Sequence, residues 1–380
     1  MKRLLGILVL CLFVFASVAS ATQTRVQTLG DVDHIIKDDF NIWTFPQSLT
    51  LYPNRFIADI DGSDLHSIGA HLSGCLLGSM AMYFSTHRMV NVYAPLIEDP
   101  DGNQQVGIDQ KIDLFWAREF NTATLGLALS YYGNSHKKDF TADQTTKSAT
   151  GLGLTLGATF MSNIDAYFAF NTYTWTDEDS LGNKVTEPSG NTTIEFGGRY
   201  WLRMSDNVTL VPYGAFALIG EGVKDAAGNE ITYSTTAFML GVGHNINAGY
   251  GVLAVTDLGI RFQSSKEENK PVGAAKTEDK AGLTNLPYFR IGLESEVSEK
   301  VDIRFGAVKM WSSRNTEDND GNKESWGFAG TDLYVGVGLH FGDLDIDANV
   351  DPGFFTRGPY LLSGQTGDMA FNVSLRYVWD

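Results

Sequence analysis

Residues 151–160 read GLGLTLGATF. In an extended chain Leu152, Leu154, Leu156, Ala158 and Phe160 fall on one side, and Gly151, Gly153, Thr155, Gly157 and Thr159 on the other. A helix would scatter these side chains around its axis, so the stretch is a strand with one apolar face. The same period of two returns along the chain. Ile194, Phe196, Tyr200 and Leu202 alternate with Thr193, Glu195, Arg199 and Arg203, and Leu333, Val335, Val337, Leu339 and Phe341 alternate with Asp332, Tyr334, Gly336, Gly338 and His340. Leu344, Ile346, Ala348 and Val350 alternate with Asp343, Asp345, Asp347 and Asn349. Weaker versions occupy 76–85, 107–117, 122–133, 165–175, 207–219, 233–245, 250–263, 285–295 and 300–311.

With a final strand at the C-terminus, these segments predict 14 strands, or 16 if residues 54–73 form an extra pair. Short connections near 118–121, 161–164, 204–206, 246–249, 296–299 and 342–343 take turns with long polar ones near 86–106, 134–148, 176–190, 220–232, 264–284, 312–328 and 351–367. The long ones carry turn formers such as Asp101-Gly102, Gly182-Asn183, Gly228-Asn229 and Asp320-Gly321. That asymmetry is expected of an all-β, up-and-down antiparallel transmembrane barrel with short turns on the periplasmic side. In hydrocarbon an unpaired backbone N–H or C=O costs several kcal/mol, so such a sheet must close on itself.

Cost also orients the faces. A charge against lipid is expensive, so Lys111, Asp113, Glu195, Arg199, Asp257, Arg261, Arg290, Glu294, Asp302, Arg304, Asp332 and Arg376 are expected to line the lumen. Glycines on that face (Gly151, Gly153, Gly157, Gly336 and Gly338) leave room for an open or plug-gated interior. The strand-end aromatics Tyr131, Trp175, Tyr200, Tyr250, Trp311, Tyr377 and Trp379 are expected at the two membrane interfaces.

The N-terminus has the order of a secretory signal: basic Lys2 and Arg3, an apolar run from Leu4 to Phe15, and Ala19-Ser20-Ala21 as cleavage site. The apolar run is shorter than the ~20 residues of a spanning helix, so residues 1–21 are expected to be cleaved. Residues 22–53 then form a periplasmic arm or a lumen plug, and 54–380 the barrel. The chain has 380 residues, 28 Lys plus Arg and 45 Asp plus Glu, a net charge of −17 that becomes −19 without Lys2 and Arg3. Such acidity excludes the clustered basic footprint that nucleic acid requires. Only Cys75 survives removal of Cys11, which excludes a disulfide framework or a cysteine-based zinc site.

At the C-terminus Phe371, Val373, Leu375, Tyr377 and Trp379 alternate with Asn372, Ser374, Arg376 and Val378. The segment resembles the insertion signal of Gram-negative outer-membrane β-barrel proteins, although Asp380 follows the last aromatic where that family usually ends on it. The resemblance implies the outer membrane as location, and outer-membrane lipids, lipopolysaccharide and the barrel-assembly machinery as partners. Asp39, Asn41, Phe45, Pro46, Tyr52 and Asn54 are distantly similar to the N-terminal region of FadL-type hydrophobic-compound transporters, where that region helps plug the lumen. Phe45-Pro46-Gln47 stands here where that family has Asn-Pro-Ala.

Catalytic chemistry leaves no trace. The chain has no His-Glu-x-x-His helix, Walker loop or Gly-x-Ser-x-Gly elbow, and no catalytic residue, metal or cofactor is expected. Asp343, Asp345 and Asp347 share a face, but a solvated strand end accounts for them better than a calcium site. His340 reads as a polar wall residue. The resulting expectation is a non-enzymatic barrel that passes small solutes or hydrophobic compounds, with modest cation preference if its lumen is open. A non-transporting surface barrel serving adhesion, envelope structure or a secretion complex is the alternative.

Overall fold

The computed structural model describes residues 22–61, 66–75, 77–85, 110–139, 144–178, 184–350 and 371–379. The segment proposed for cleavage and the connections expected at 86–106 and 351–367 lie outside the described residues. The strands are β1 (Arg55–Asp61), β2 (His66–Cys75), β3 (Gly78–Ser85), β4 (Gln110–Phe120), β5 (Ala123–Asp139), β6 (Gln144–Phe160), β7 (Ile164–Glu178), β8 (Lys184–Pro188), β9 (Thr192–Tyr200) and β10 (Leu202–Arg203). They continue as β11 (Val208–Asp225), β12 (Glu230–Gly249), β13 (Val252–Lys270), β14 (Thr277–Ser298), β15 (Val301–Glu317), β16 (Lys323–Phe341), β17 (Leu344–Val350) and β18 (Phe371–Val378).

Every strand pairs antiparallel with its neighbours, and β1 pairs with both β2 and β18, so the sheet has no free edge. β8 and β9 both lie between β7 and β11, and β10 continues them along β11. These three pieces make one stave, and the barrel therefore has 16 staves. Of the two expected counts, 14 and 16, the second is the one found. Residues 54–73 do supply the extra pair as β1 and β2, with Arg55 opposite His71 and Ile60 opposite His66.

The turns near 121, 162, 205, 250, 299 and 342 gather at one end of the barrel. At the other end, residues expected as long loops continue the ladder. Asn269 still pairs with Thr277, and Glu317 with Lys323. Segments 264–284 and 312–328 are thus strand arms closed by tight turns rather than loops. Cross-strand pairs such as Lys266 with Glu278 (2.8 Å) and Lys270 with Glu230 (3.2 Å) stitch them to their neighbours. At ~3.3 Å per residue the 22 residues of β14 reach roughly 70 Å along the strand, the longest of the described strands.

Alternation sets the two surfaces. Leu125, Leu129, Leu152, Leu156, Phe160, Phe196, Leu218, Leu240, Leu258, Ile291 and Phe305 all stand exposed on the outside. Tyr131, Tyr200, Trp311 and Tyr377 are also outward and exposed. Trp175 departs from that set. It pairs with Ala149, one step along the inward face from the Gly151–Tyr173 pair, so it points into the lumen. Apolar side chains are therefore mostly on the outside, and the buried interior carries charge, hydroxyls and tyrosines.

Candidate functional site: the plugged lumen

Residues 22–53 lie inside the barrel. A short helix, α1 (Gln23–Thr28), and two 3₁₀ turns, Asp39–Trp43 and Pro46–Leu51, give the segment its shape. Asp38 caps the first 3₁₀ turn by accepting from the Phe40 amide (3.0 Å), and Asn41 accepts from the Asp38 amide (3.1 Å), a reciprocal box that satisfies the otherwise orphaned donors. From here the segment is called the plug.

Its two halves line opposite arcs of the wall. Thr22 donates to Asp347 of β17 (3.1 Å), and Thr24 shares a hydrogen bond with Ser374 of β18 (2.6 Å). Leu29 and Gly30 then lie along β14 and β15, and Ile35 reaches β12. Val26, Leu29, Val32, Ile35 and Ile36 form one apolar cluster with Val211, Tyr213, Ala217, Met239, Val255 and Tyr288. The second half, Ile42, Trp43 and Leu49, packs with Ile57, Tyr83, Phe115 and Ala117 on the opposite side. Trp43 meets the rings of Tyr83 and Phe115 edge-on, with centroids 5.1 and 5.0 Å apart.

The inward glycines make this fit possible. A Cβ at Gly306 would lie 2.5 Å from the Thr28 carbonyl oxygen, and one at Gly126 would overlap the backbone of Pro46 and Gln47. Room left by Gly157 and Gly336 is filled by Gln47 and Thr28, that beside Gly151 by Tyr132, and that beside Gly338 by Arg304. The glycine-lined space is therefore occupied rather than open.

The charged residues expected on the lumen face are found on it, and most are committed to partners. Arg199 donates to Asp165 (2.9 Å), to the carbonyl oxygens of Asp33, His34 and Ile36 (3.1, 3.3 and 3.2 Å) and to Asn41 Oδ1 (3.1 Å). It also lies 4.0 Å over the Phe45 ring. Lys111 and Asp113 pair at 2.9 Å, with the Lys111 ammonium 5.0 Å above Trp43. Glu195 accepts from Tyr167, and Asp257 accepts from Tyr213 (2.8 Å) with the Arg290 guanidinium 3.9 Å away. Arg290 also donates to the Asp31 carbonyl. Glu294, Asp302, Arg304 and Arg376 join an ion-pair chain at the short-turn end. Arg261 is half-buried opposite Asn285, and Asp332 faces inward opposite Val308 yet stays open to solvent.

Asp345 and Asp347, read earlier as a solvated strand end, are buried, and Asp343 alone is exposed in the turn. Asp345 accepts from Arg376 and Asp347 from Arg304. His340 sits between Asp302 and Asp345. Among the described residues no group of three or more His, Cys, Asp or Glu is arranged to hold a metal.

The six residues singled out by resemblance, five of them in the plug, all touch the wall or its first strand. Asp39 pairs with Arg55 (3.0 Å) and Arg376 (3.4 Å), and Asn41 accepts from Arg199. Phe45 stacks edge-on against Tyr167, Pro46 abuts Gly126, the Tyr52 carbonyl bonds the His71 ring (2.7 Å), and Asn54 accepts from Ser73. Sequence reasoning missed Arg25, His34, Asp38 and Trp43. The only signal for them was an unusual density of apolar and charged residues in a segment without strand period.

Burial governs the ionisable groups of the plug. The His34 imidazole, stacked on Tyr213 with centroids 5.3 Å apart, is held below its ordinary range mainly by loss of water. Asp33 opposes that shift, and Arg290 and Arg199 reinforce it. Burial, then Asp38, push the Asp39 carboxyl well above the usual carboxylate range, against the pull of Arg376 and Arg55.

Below the plug a cavity of about 1050 Å³ opens at the short-turn end. Arg25 and Tyr52 of the plug and Arg55, Glu294, Arg304, His340, Asp345 and Arg376 of the wall are among its lining.

No protein-family model matches the chain, and no curated protein matches it in sequence. Solved structures with a similar fold include the alcaligin outer-membrane receptor FauA from Bordetella pertussis, 8% identical, covering 86% of this chain and 75% of that one at a TM-score of 0.38. The translocator domain of the autotransporter NalP from Neisseria meningitidis is 12% identical, with 69% and 90% covered at 0.30. The porin NanC is 10% identical, with 66% and 98% covered at 0.24. At these values the likeness says nothing about activity, and the closed barrel stands on the hydrogen-bond register of the chain itself.

Proposed function

We propose that the protein is an outer-membrane barrel that passes small solutes, with residues 22–53 as its gate. Support for a membrane setting comes from the outward band of Leu, Phe and Ile, which water would not tolerate around a closed cylinder, enclosing a polar interior. The observation that carries gating is the mixed seat of the plug. A purely structural filler would be apolar throughout, whereas this one hangs on Arg199, Glu294, Arg376 and Asp347, ties that a solute or an ion can compete for. In this reading the short turns face the periplasm, outer-membrane lipids and lipopolysaccharide surround the wall, the barrel-assembly machinery recognises β18, and the protein performs no catalysis.

Planar-bilayer recording of the full-length protein tests it. The wild type is expected to conduct rarely, and Arg199→Gln, which removes the bonds to three plug carbonyls, to conduct more often. A folded, inserted protein in which neither form ever conducts overturns the proposal. The paired arms of β13 to β16 favour a second reading, a surface barrel that binds partners through them. Shortening the arm tips at 271–276 and 318–322 would then abolish binding while leaving conductance unchanged.

A further inference from the structure

His340 lies where the plug's ion pairs meet. Its Nε2 is 2.8 Å from Asp302 Oδ2 and its Nδ1 3.2 Å from Asp345 Oδ1. Both acceptors are carboxylates held by arginines. Arg304 reaches Asp302 (3.3 Å), Asp347 and Glu294, and Arg376 reaches Asp345 and Asp39 of the plug. Glu294 in turn clasps Arg25 of the plug, which also holds Asp38 (2.8 Å). Lys300 lines the same cavity, and its carbonyl accepts from the His340 amide (2.9 Å). Glu296 and Glu299 stand on the rim of the same cavity.

A neutral imidazole has one N–H and one bare lone pair. With carboxylates at both nitrogens, only the imidazolium donates to both, and the neutral ring must turn its lone pair on one of them. We propose that His340 is a proton-operated latch that keeps the plug seated. Loss of its proton frees one carboxylate from the ring. Asp345 then draws Arg376 fully to itself and away from Asp39, at 3.4 Å the longest tie in the chain. The plug is expected to be held in acid and to loosen as the pH rises. The trigger reaches solvent through the cavity, so protons on the short-turn side operate it.

The test reads the plug directly and does not depend on solute passage. Hydrogen-exchange protection of residues 22–53 is measured in the full chain in lipid vesicles, between pH 6 and pH 8.5, corrected for intrinsic rates. In the wild type the protection should fall at least about tenfold as one charge-assisted bond is lost, while β11 and β12 stay unchanged. His340→Gln, which keeps one donor at every pH, should show the lower protection throughout and a flattened response. Because Asp39 gains charge as the pH rises and then pulls harder on Arg376, a sign opposite to the latch, Asp302→Asn serves as a second variant. It leaves the ring one carboxylate and should shrink the response even if the glutamine variant folds poorly. Nitrogen NMR of the ring should show two protonated nitrogens at pH 6. Plug protection independent of pH, or a response of full size in both variants, overturns the latch. Pore closure at all pH values with the response intact would overturn the gating proposal alone.

Discussion

The guanidinium of Arg25 and the carboxylate of Glu294 meet in two parallel hydrogen bonds of 2.7 Å each, and each side chain is only 13% exposed. One residue belongs to the plug helix and the other to the wall 269 positions later. Such a fork leaves little rotational freedom, so it fixes the height and orientation of the plug within the barrel. Arg304 shares the same carboxylate.

Removing that carboxylate takes one partner from each of two buried arginines, leaving Arg25 with Asp38 and Arg304 with Asp302 and Asp347. Glu294→Ala is expected to destabilise the seat by about 3–5 kcal/mol. Arg25→Met with Glu294→Met should recover only part of the loss, because Asp38 and Arg304 each still lose a partner when that pair is gone. Protection factors of the plug amides in the single and double variants check this, and equal losses in both would contradict it.

Gly306 offers no space for a side chain. Gly306→Val should push Thr28 to Gly30 off the wall while leaving the β15 ladder paired. Raised open probability in bilayer recordings, with unchanged strand content by circular dichroism, is the expected outcome. Gly330, beside which a Cβ would meet nothing within 4 Å, supplies the control, since Gly330→Val should leave conductance alone.

Trp43 anchors the other half. Trp43→Ala removes a ring wedged between Tyr83 and Phe115 and should cost about 3–5 kcal/mol of seating free energy. Loss of the Trp43 contribution to near-ultraviolet circular dichroism at unchanged barrel melting would show that the plug, and not the wall, depends on it.

His34 gives the opposite pH sign to His340. Its seated form resists protonation, so below its ordinary value near 6.5 the released segment binds a proton that the seated one does not. That contribution to seating is complete above about pH 7 and is lost as the pH falls. His34→Phe keeps the stack on Tyr213 and should flatten the acid limb of plug protection between pH 7 and pH 5.

Leu156 stands in the outward band. Leu156→Arg is expected to cost about 2–4 kcal/mol of insertion if that face meets lipid near the midplane. Folding yield into vesicles reads it, and an unaffected yield would argue against the membrane setting.

The alternation at 151–160, 191–203 and 330–350 determined by itself that the wall is β and which side of each strand is apolar, because a period of two is a local property of the extended chain. It left open whether residues 54–73 form an extra pair, which the register of β1 with β2 and β18 settles. The tertiary structure decided the rest. Strand period is blind to which ladders continue past a polar stretch, so the arms around 264–284 looked like loops until their cross-strand partners were paired. Trp175 looked like an interface aromatic because position along a strand says nothing about face when the flanking pattern is weak. Residues 22–53 carry no period at all. Their place follows from contacts hundreds of positions away, such as Thr22 to Asp347 and Arg25 to Glu294, and only closure of the barrel brings those partners within reach.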